Sequence, residues 1–484
     1  NVKYTHKLLT YEYIFKAVSG GLMFHYRESE LAKLNKRYQN RQFECIVIYG
    51  RRRVGKTALI NEFCKDKKNI FFAALNATER ENLTALSKAI YECEKKDACD
   101  APVFSSFDSA LDAITDMAEE RLVFVIDEFP YLAKAAESIS SRLQHMIDHK
   151  WQHTKLYLIL CGSSMSFMEE QVLGYESPLY GRRTAQFKIE PLSYREVEAF
   201  YPGLSKQEQA LVYGITGGIP LYINKLGVQD GIKEALLENL FDASSYLFEE
   251  PQNLLKQELR EPAVYNTIIT TIASGASKLN EIATKAGLEN AVCSKYTKVL
   301  LELGIIKKET PMTEKPGKKT IYRLADHFFG FWYRYVPHNM GAIVSERMGS
   351  IFDQVVAGSL SDYMGTVFED MCKCYMLRYA QNLHVPITDI GQWWGTDPSL
   401  HKEVQIDIVA GTTDKGTYYI GSCKYKKEPI GVDELKLLEH YAGVFGKGKT
   451  YIYYIFSKGG FTQNLEELEK KGAVHLISLE MLYE

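Results

Sequence analysis

The stretch Gly50-Arg51-Arg52-Arg53-Val54-Gly55-Lys56-Thr57 matches the pattern G-x-x-x-x-G-K-[ST] at every fixed position. It follows the apolar run Ile46–Tyr49 and precedes the helix-like run Ala58–Cys64. A strand, a glycine-rich turn and a helix in this order let backbone N–H groups curl around phosphate at the positive end of the helix. The stretch therefore predicts a phosphate-binding loop and an α/β fold around it.

The side chains of this loop suggest different tasks. Lys56 is expected to reach the β- and γ-phosphates of ATP, and Thr57 is expected to ligate Mg²⁺. The arginine run is a candidate for contacts with phosphate or with a partner. The candidate nucleotide-binding residues in and beside the loop are Gly50, Arg51, Arg52, Arg53, Val54, Gly55, Lys56, Thr57 and Ala58.

A second apolar run, Leu122–Ile126, is followed directly by Asp127 and Glu128. A buried strand delivers such carboxylates to its carboxyl end, where α/β sheets bind their ligands. Asp127 is therefore predicted to hold Mg²⁺ together with Thr57. Glu128 is predicted to orient or deprotonate the attacking water.

Short apolar runs alternate with helical stretches up to about residue 190, which predicts a mostly parallel sheet in a P-loop ATPase core over residues 23–190. The strand candidates are Cys45–Tyr49, Ile70–Ala74, Leu122–Ile126, Leu156–Leu160 and Gln186–Ile189. Beyond this core, Ser193/Glu196 and Ser205/Glu208 have the spacing of capping boxes. Residues 191–260 are accordingly predicted to form a helical lid.

Polar residues after the later strands are further catalytic candidates. Ser163 follows the run Leu156–Leu160 and is a candidate for contact with the γ-phosphate or the lytic water, with a plain turn as the alternative. Arg182 and Arg183 could stabilise the phosphoryl-transfer transition state, from this chain or from a neighbouring subunit. The alternative for these two residues is a solvated arginine pair.

Several motifs together resemble one known family. They are Arg27-Glu28-x-Glu30-Leu31, the Gly50–Thr57 loop, Asp127-Glu128-Phe129-Pro130-Tyr131, Gly162-Ser163-Ser164, Tyr180-Gly181-Arg182 and Gly217-Gly218-Ile219-Pro220. Residues from about 23 to 260 resemble the archaeal-type DEXX-box ATPases, a branch of the AAA+/STAND P-loop proteins. The resemblance implies a sensor strand at Ser163 and places Gly218 and Pro220 in the lid near the nucleotide base. From local chemistry alone, Gly217–Pro220 is only a helix terminator.

Residues 261–340 are predicted to form a winged helix-turn-helix. The helix candidates Pro262–Ala273, Lys278–Ala286 and Ala291–Leu303 are followed by strand candidates on either side of a basic turn at residues 315–319. Residues 261–335 carry 11 Lys and Arg against 7 Asp and Glu. This modest excess makes DNA a candidate partner through Lys295 and Lys298, while linking domains or binding protein is the alternative.

Residues 341–484 contain a pattern that resembles the PD-(D/E)xK nuclease core. Asp407 and Lys424 lie on neighbouring strand candidates, and Glu369 lies on a predicted helix before them. In such a core, carboxylates hold Mg²⁺ and the lysine positions or activates water. Ser422 stands where that pattern has an acidic residue, which weakens a metal site. A nuclease and a degenerate binding domain both remain open.

Composition limits the classes of function. A net charge of −3 means that nucleic acid must be met by a local basic patch. The 9 cysteines lack C-x-x-C spacing, which favours reduced thiols in a cytoplasmic protein. No run approaches the ~18 apolar residues of a membrane span. Residues 1–22 are predicted to be an appendage.

The sequence thus predicts an ATP- and Mg²⁺-dependent ATPase that acts as a switch or motor linked to DNA. The alternatives are an ATP-regulated nuclease and a switch that senses a protein or nucleic acid. A homo-oligomer or a partner protein fits each of them.

Overall fold

The computed structural model describes residues 26–94, 102–315, 317, 319–381, 383–446 and 448–484. These residues form two compact units. The first contains the described residues up to Gly50 together with Gly55–Ile189, and the second contains Arg51–Val54 together with Glu190–Glu484. The predicted appendage over residues 1–22 lies outside the described residues, as do Pro316 and Lys318 of the basic turn.

A parallel sheet forms the centre of the first unit, as the sequence predicted. Its strands are β1 (Glu44–Tyr49), β2 (Asn69–Ala73), β3 (Leu122–Asp127), β4 (Leu156–Gly162) and β5 (Ala185–Lys188). Within the described residues the order is β2-β3-β4-β1-β5, and each neighbouring pair is parallel.

The register of this sheet explains why polar residues gather at one edge. Strands β1, β3 and β4 are buried along their whole length, because apolar side chains face helices and core on both sides. Tyr49 pairs with Gly162, and Ala73 pairs with Asp127. The residues that follow β1, β3 and β4 therefore emerge at the same carboxyl edge.

Amphipathic helices cover this sheet, with apolar residues such as Leu111 and Leu143 in its core. They are α1 (Glu28–Gln39), α2 (Lys56–Cys64), α3 (Glu79–Cys93), α4 (Phe107–Met117), α5 (Phe129–Ala135) and α6 (Ile139–His149).

The second unit continues from residue 190 with helices. They are α7 (Tyr194–Val197), α8 (Lys206–Thr216), α9 (Pro220–Leu226), α10 (Ile232–Asn239) and α11 (Tyr246–Glu258). Both predicted capping boxes are present at the starts of α7 and α8. Tyr194 is fully buried, and its hydroxyl and the Arg195 guanidinium both donate to the carbonyl of Leu482, at 2.8 and 2.7 Å.

Residues 262–324 form helices followed by a hairpin, close to the predicted boundaries. The elements are α12 (Pro262–Ala273), α13 (Leu279–Ala286), α14 (Asn290–Glu302), β6 (Ile306–Glu309) and β7 (Ile321–Leu324). Strands β6 and β7 are antiparallel, with Ile306 opposite Leu324.

The remaining residues build further helices and a mixed sheet. The helices are α15 (His327–Tyr335), α16 (Met340–Val344), α17 (Met348–Val355), α18 (Leu360–Arg378), α19 (Val432–Phe445) and α20 (Gln463–Lys470). The strands are β8 (Ile387–Asp397), β9 (Lys402–Thr412), β10 (Thr417–Lys424), β11 (Thr450–Ser457) and β12 (His475–Ser478). Their order in the described residues is β12-β11-β10-β9-β8, with β9 antiparallel to β8 and β10.

Candidate nucleotide site and C-terminal cluster

The loop after β1 has a backbone that few residue types can adopt. A Cβ on Gly50 would lie 2.3 Å from the carbonyl oxygen of Ile189, so no side chain fits there. Gly55 has a φ of 92° and caps α2, while Arg53 has a φ of 73°. Left-handed residues within such a loop can turn successive N–H groups to one side and make a concave site for an anion.

Lys56 and Thr57 begin α2, directly after this loop. The buried Lys56 ammonium donates to the carbonyl oxygen of Gly50 at 2.9 Å, so it lies across the loop. The N-terminus of α2 adds the positive partial charge of the helix dipole at the same place. The loop, the ammonium and the helix end together favour a polyphosphate.

Asp127 ends β3 beside the hydroxyl of Thr57. Thr57 Oγ1 donates to Asp127 Oδ2 at 2.9 Å, and the other carboxylate oxygen accepts from the backbone N–H of Glu128 at 3.0 Å. The carboxylate is 6% exposed. Two hard oxygen ligands at hydrogen-bond distance are suited to Mg²⁺, which prefers a few protein oxygens together with substrate phosphates.

Glu128 has an uncommon backbone conformation, and its carboxylate is held by Ser163. Its φ of 52° is left-handed, and a non-glycine residue in that region is a feature of functional sites. Ser163 Oγ lies 2.9 Å from both carboxylate oxygens, and its backbone N–H donates to one of them at 3.3 Å. Ser163 follows β4, so the sequence correctly indicated its edge of the sheet but not its partner.

The predicted arginine pair has partners within the first unit. Arg182 makes a forked ion pair with Asp148, with Nε 2.9 Å from Oδ1 and an NH2 nitrogen 2.8 Å from Oδ2. The hydrogen bond from Arg182 lowers the pKa of Asp148. The Arg183 guanidinium lies 5.8 Å from the centre of the Tyr180 ring. A role of either arginine in phosphoryl transfer stays a prediction.

Local backbone structure explains why glycines occupy positions 217 and 218 of the second unit. Gly217 ends α8 with a φ of 64°, and Pro220 begins α9. A Cβ on Gly218 would lie 2.0 Å from the carbonyl oxygen of Leu192, whose N–H donates to Gly218 O at 2.8 Å. Contact of Gly218 or Pro220 with a nucleotide base stays a prediction.

The side chains of the loop arginines contact carboxylates that the sequence did not indicate. Arg51 pairs with Asp326, Arg52 with Glu258 and Arg53 with Glu250. These acids lie far from the loop in the sequence, so no local pattern could have identified them.

The C-terminal sheet brings the predicted Asp407, Ser422 and Lys424 together with a further acid, Glu434 on α19. Ser422 Oγ donates to Glu434 Oε1 at 2.7 Å, and Lys424 Nζ lies 3.1 Å from the same oxygen. Asp407 Oδ2 accepts from the N–H of Cys423 at 2.9 Å. Glu434 thus occupies the neighbourhood in which the sequence lacked a carboxylate.

Glu369 lies on α18 and accepts a hydrogen bond from the buried amide of Gln392. Burial and the nearby Asp407 carboxylate raise the pKa of Glu369 to about 7. A carboxyl with such a pKa is partly protonated near neutrality. In the part of the chain that the structure describes, no group of three or more His, Cys, Asp or Glu side chains is arranged to hold a metal ion.

Comparison with known proteins identifies the family. Residues 24–226 match the model described as an ATPase domain predominantly from Archaea. An uncharacterized protein of Methanocaldococcus jannaschii is 33% identical over 403 residues, covering 82% of this chain and 87% of that protein. This chain belongs to the archaeal-type ATPase family.

As a member of the archaeal-type ATPase family, the chain is an ATP-binding P-loop ATPase. Residues 332–436 match a second model, described as Archaea bacterial proteins of unknown function. In the described residues, no helix has the length and apolar character needed to cross a membrane.

Solved structures with similar folds include two archaeal proteins. The Aeropyrum pernix ORC2 protein is 16% identical, covers 68% of this chain and 96% of its own, and has a TM-score of 0.46. Cdc6p from Pyrobaculum aerophilum is 14% identical, covers 68% of this chain and 95% of its own, and has a TM-score of 0.31.

Proposed function

We propose that this ATPase hydrolyses ATP with Mg²⁺ bound at Thr57 and Asp127 and with Glu128 acting on the attacking water. The observation that carries the proposal is the 2.9 Å contact between Thr57 Oγ1 and Asp127 Oδ2, with Glu128 next in the chain. Mg²⁺ would neutralise charge on the β- and γ-phosphates, a task that these two oxygen ligands suit.

The other residues of the site have complementary tasks. The loop N–H groups and Lys56 would stabilise the charge that spreads over the phosphoryl oxygens. Ser163 would orient the Glu128 carboxylate, leaving it able to accept a hydrogen bond from water.

Two substitutions test these assignments. Lys56→Ala should abolish ATP binding or turnover, because the phosphates lose their cation. Glu128→Gln should leave binding intact and slow hydrolysis by about 100-fold or more. Glu120→Gln is a matched control, because Glu120 is 82% exposed and lies before β3 rather than after it. Wild-type hydrolysis by purified Glu128→Gln would refute the role of Glu128.

We further infer that this ATPase is a switch that acts on DNA through residues 262–324, which we interpret as a winged helix-turn-helix. Lys295 and Lys298 are exposed on α14, which is the third helix of this module. The net positive charge of residues 261–335 supports contact with phosphates. Lys298 also lies 3.7 Å from Glu302 on the same helix, so part of its charge is already compensated.

The test compares two lysines, each of which lies near a glutamate four residues later on the same helix. Lys88 lies 3.5 Å from Glu92, also four residues on, but belongs to the first unit. Lys298→Ala should weaken binding to duplex DNA and lower its salt slope by about 0.9 for each phosphate that the variant no longer neutralises, whereas Lys88→Ala should not. Equal salt slopes for the two variants would contradict a DNA contact at α14.

We propose that the C-terminal sheet is a binding module that does not cleave nucleic acid. An ATP-regulated nuclease is the alternative. The ion pair of Lys424 with Glu434 and the neutral hydroxyl of Ser422 support binding rather than metal-dependent cleavage. The nuclease alternative is supported by the proximity of Asp407 to Lys424. Cleavage of DNA or RNA that requires Mg²⁺ or Mn²⁺ and disappears in Lys424→Ala would overturn the binding role.

A further inference from the structure

Three consecutive guanidinium groups of the phosphate-binding loop are each paired with a different carboxylate. Arg51 contacts Asp326, Arg52 contacts Glu258 and Arg53 contacts Glu250. Both members of each pair belong to the second unit, which contains Arg51–Val54 although the flanking Gly50 and Gly55 belong to the first.

These carboxylates are removed from water. The side chains of Glu250 and Asp326 are 0% and 1% exposed, and that of Glu258 is 12% exposed. A buried carboxylate without a cation is strongly destabilising, so each acid requires its arginine. Burial alone would lower the pKa of Arg51, but Asp326, Tyr222 and Glu258 together outweigh burial and raise the pKa.

Each carboxylate also belongs to a defined structural element. Asp326 caps α15, accepting from the N–H groups of Phe328 and Phe329 at 2.8 and 3.2 Å. Glu250 lies within α11 and accepts from the Tyr222 hydroxyl at 2.7 Å. Glu258 is the last residue of α11. Asp326 and Glu250 are therefore fixed by other hydrogen bonds, and the backbone of Glu258 is fixed by its helix, so the three acids can fix the arginines in turn.

We propose that Glu250, Glu258 and Asp326 are positioning residues that set the shape of the phosphate-binding loop through its three arginines. The inference rests on the proposed ATPase function, because it concerns the loop that binds the phosphates. Phosphate is then held by the backbone N–H groups, while the guanidiniums stay with their carboxylates. Arg53 illustrates this role, because its backbone is left-handed, with a φ of 73°, and its guanidinium pairs with a fully buried acid.

The positioning role links nucleotide binding to α11 and α15. The loop conformation that binds the triphosphate is also the one in which the three carboxylates are paired with the loop arginines. ATP binding therefore stabilises the contacts of these helices, and removal of a pair weakens ATP binding without touching the nucleotide. The competing explanation is that the arginines bind phosphate directly and leave their carboxylates when ATP arrives.

An exchange of charges separates the two explanations. Arg52→Glu and Glu258→Arg each break one pair, and the double variant restores it with the charges reversed. Arginine at the end of α11 is also compatible with the helix dipole. We expect each single variant to raise the Kd for ATP by about tenfold and the double variant to return it to within about threefold of wild type.

If the loop arginines instead bind phosphate directly, the double variant should give the opposite result. A glutamate at position 52 would repel the triphosphate, so the exchange would bind ATP as weakly as Arg52→Glu alone. That result would overturn the positioning role, as would single variants with wild-type affinity. Wild-type protein that binds no ATP would instead refute the proposed function itself.

Two further variants guard against misfolding. Glu258→Gln removes a charge without reversing one and should weaken ATP binding in the same direction. The exchange of Arg142 with Asp108, an exposed ion pair of the first unit, is the matched control and should leave the Kd unchanged. In hydrogen exchange, ATP should slow the amides of α11 and α15 in wild type and less so in Glu258→Gln. Equal slowing in both would also overturn the link.

Discussion

Glu369→Gln should remove a pH-dependent loss of stability from the C-terminal sheet. Burial and Asp407 raise the pKa of Glu369 from 4.5 to about 7, so the folded protein keeps a proton that the unfolded chain releases in this range. The stability that this carboxyl contributes is complete at low pH and is lost as the pH rises from 4.5 to about 7. The two values differ by an amount that corresponds to about 3 kcal/mol.

Glutamine preserves the shape of this side chain and removes its titration. Its carbonyl oxygen can accept the hydrogen bond from Gln392, and its amide can donate to Gln392 Oε1, which is buried without a hydrogen-bond partner among the described residues. Relative to wild type, the free energy of local unfolding of Glu369→Gln should therefore rise by about 2 to 3 kcal/mol between pH ~5 and pH ~8.

Hydrogen exchange of the amides in α18, β8 and β9 measures this quantity, after correction for the intrinsic dependence of exchange on pH. Glu403→Gln is the control, because Glu403 is exposed on β9 of the same sheet and should follow wild type. Parallel pH curves for wild type and Glu369→Gln would refute the reasoning, since burial of the charged form would then carry no cost.

Two serines give further predictions. Ser163→Ala removes the hydroxyl that contacts both oxygens of Glu128; since a hydrogen bond to a charged group contributes about 1.5–3 kcal/mol, kcat should fall by about 10- to 100-fold with ATP affinity unchanged. Steady-state kinetics with Ser164→Ala as the control tests this, and an unchanged kcat would contradict it. Ser422→Glu replaces a buried donor to Glu434 with a second carboxylate and should destabilise the C-terminal sheet by more than about 2 kcal/mol. A wild-type hydrogen-exchange profile for that variant would show that the two carboxylates avoid each other.

Local sequence patterns were sufficient to place most residues of the candidate nucleotide site in the fold. The runs before Gly50 and Asp127 are apolar over a full strand length, so they predicted buried parallel strands whose ends meet at one edge. The loop motif then fixed the positions of Lys56 and Thr57 relative to α2. Hydrogen bonding of Ser163 to Glu128 needed the register of β3 and β4, which an isolated run does not encode.

Contacts between distant segments could not be predicted in this way. Arg51 and Asp326 are 275 residues apart, and Arg52 and Glu258 are 206 residues apart. Each of these residues, viewed locally, is an ordinary charged side chain. Glu434 was missed for a related reason, because only the packing of α19 on the sheet brings its carboxylate to Ser422.

The contact of Tyr194 with Leu482 has a consequence for synthesis on the ribosome. The partners are 288 residues apart, so the buried hydroxyl of Tyr194 has no acceptor at Leu482 until residue 482 has emerged. At about 5–20 residues per second, that interval lasts roughly 15–60 s. The sheet that ends with β5 can fold during this time, whereas the hydrogen bond from Tyr194 to Leu482 cannot form until the interval is over.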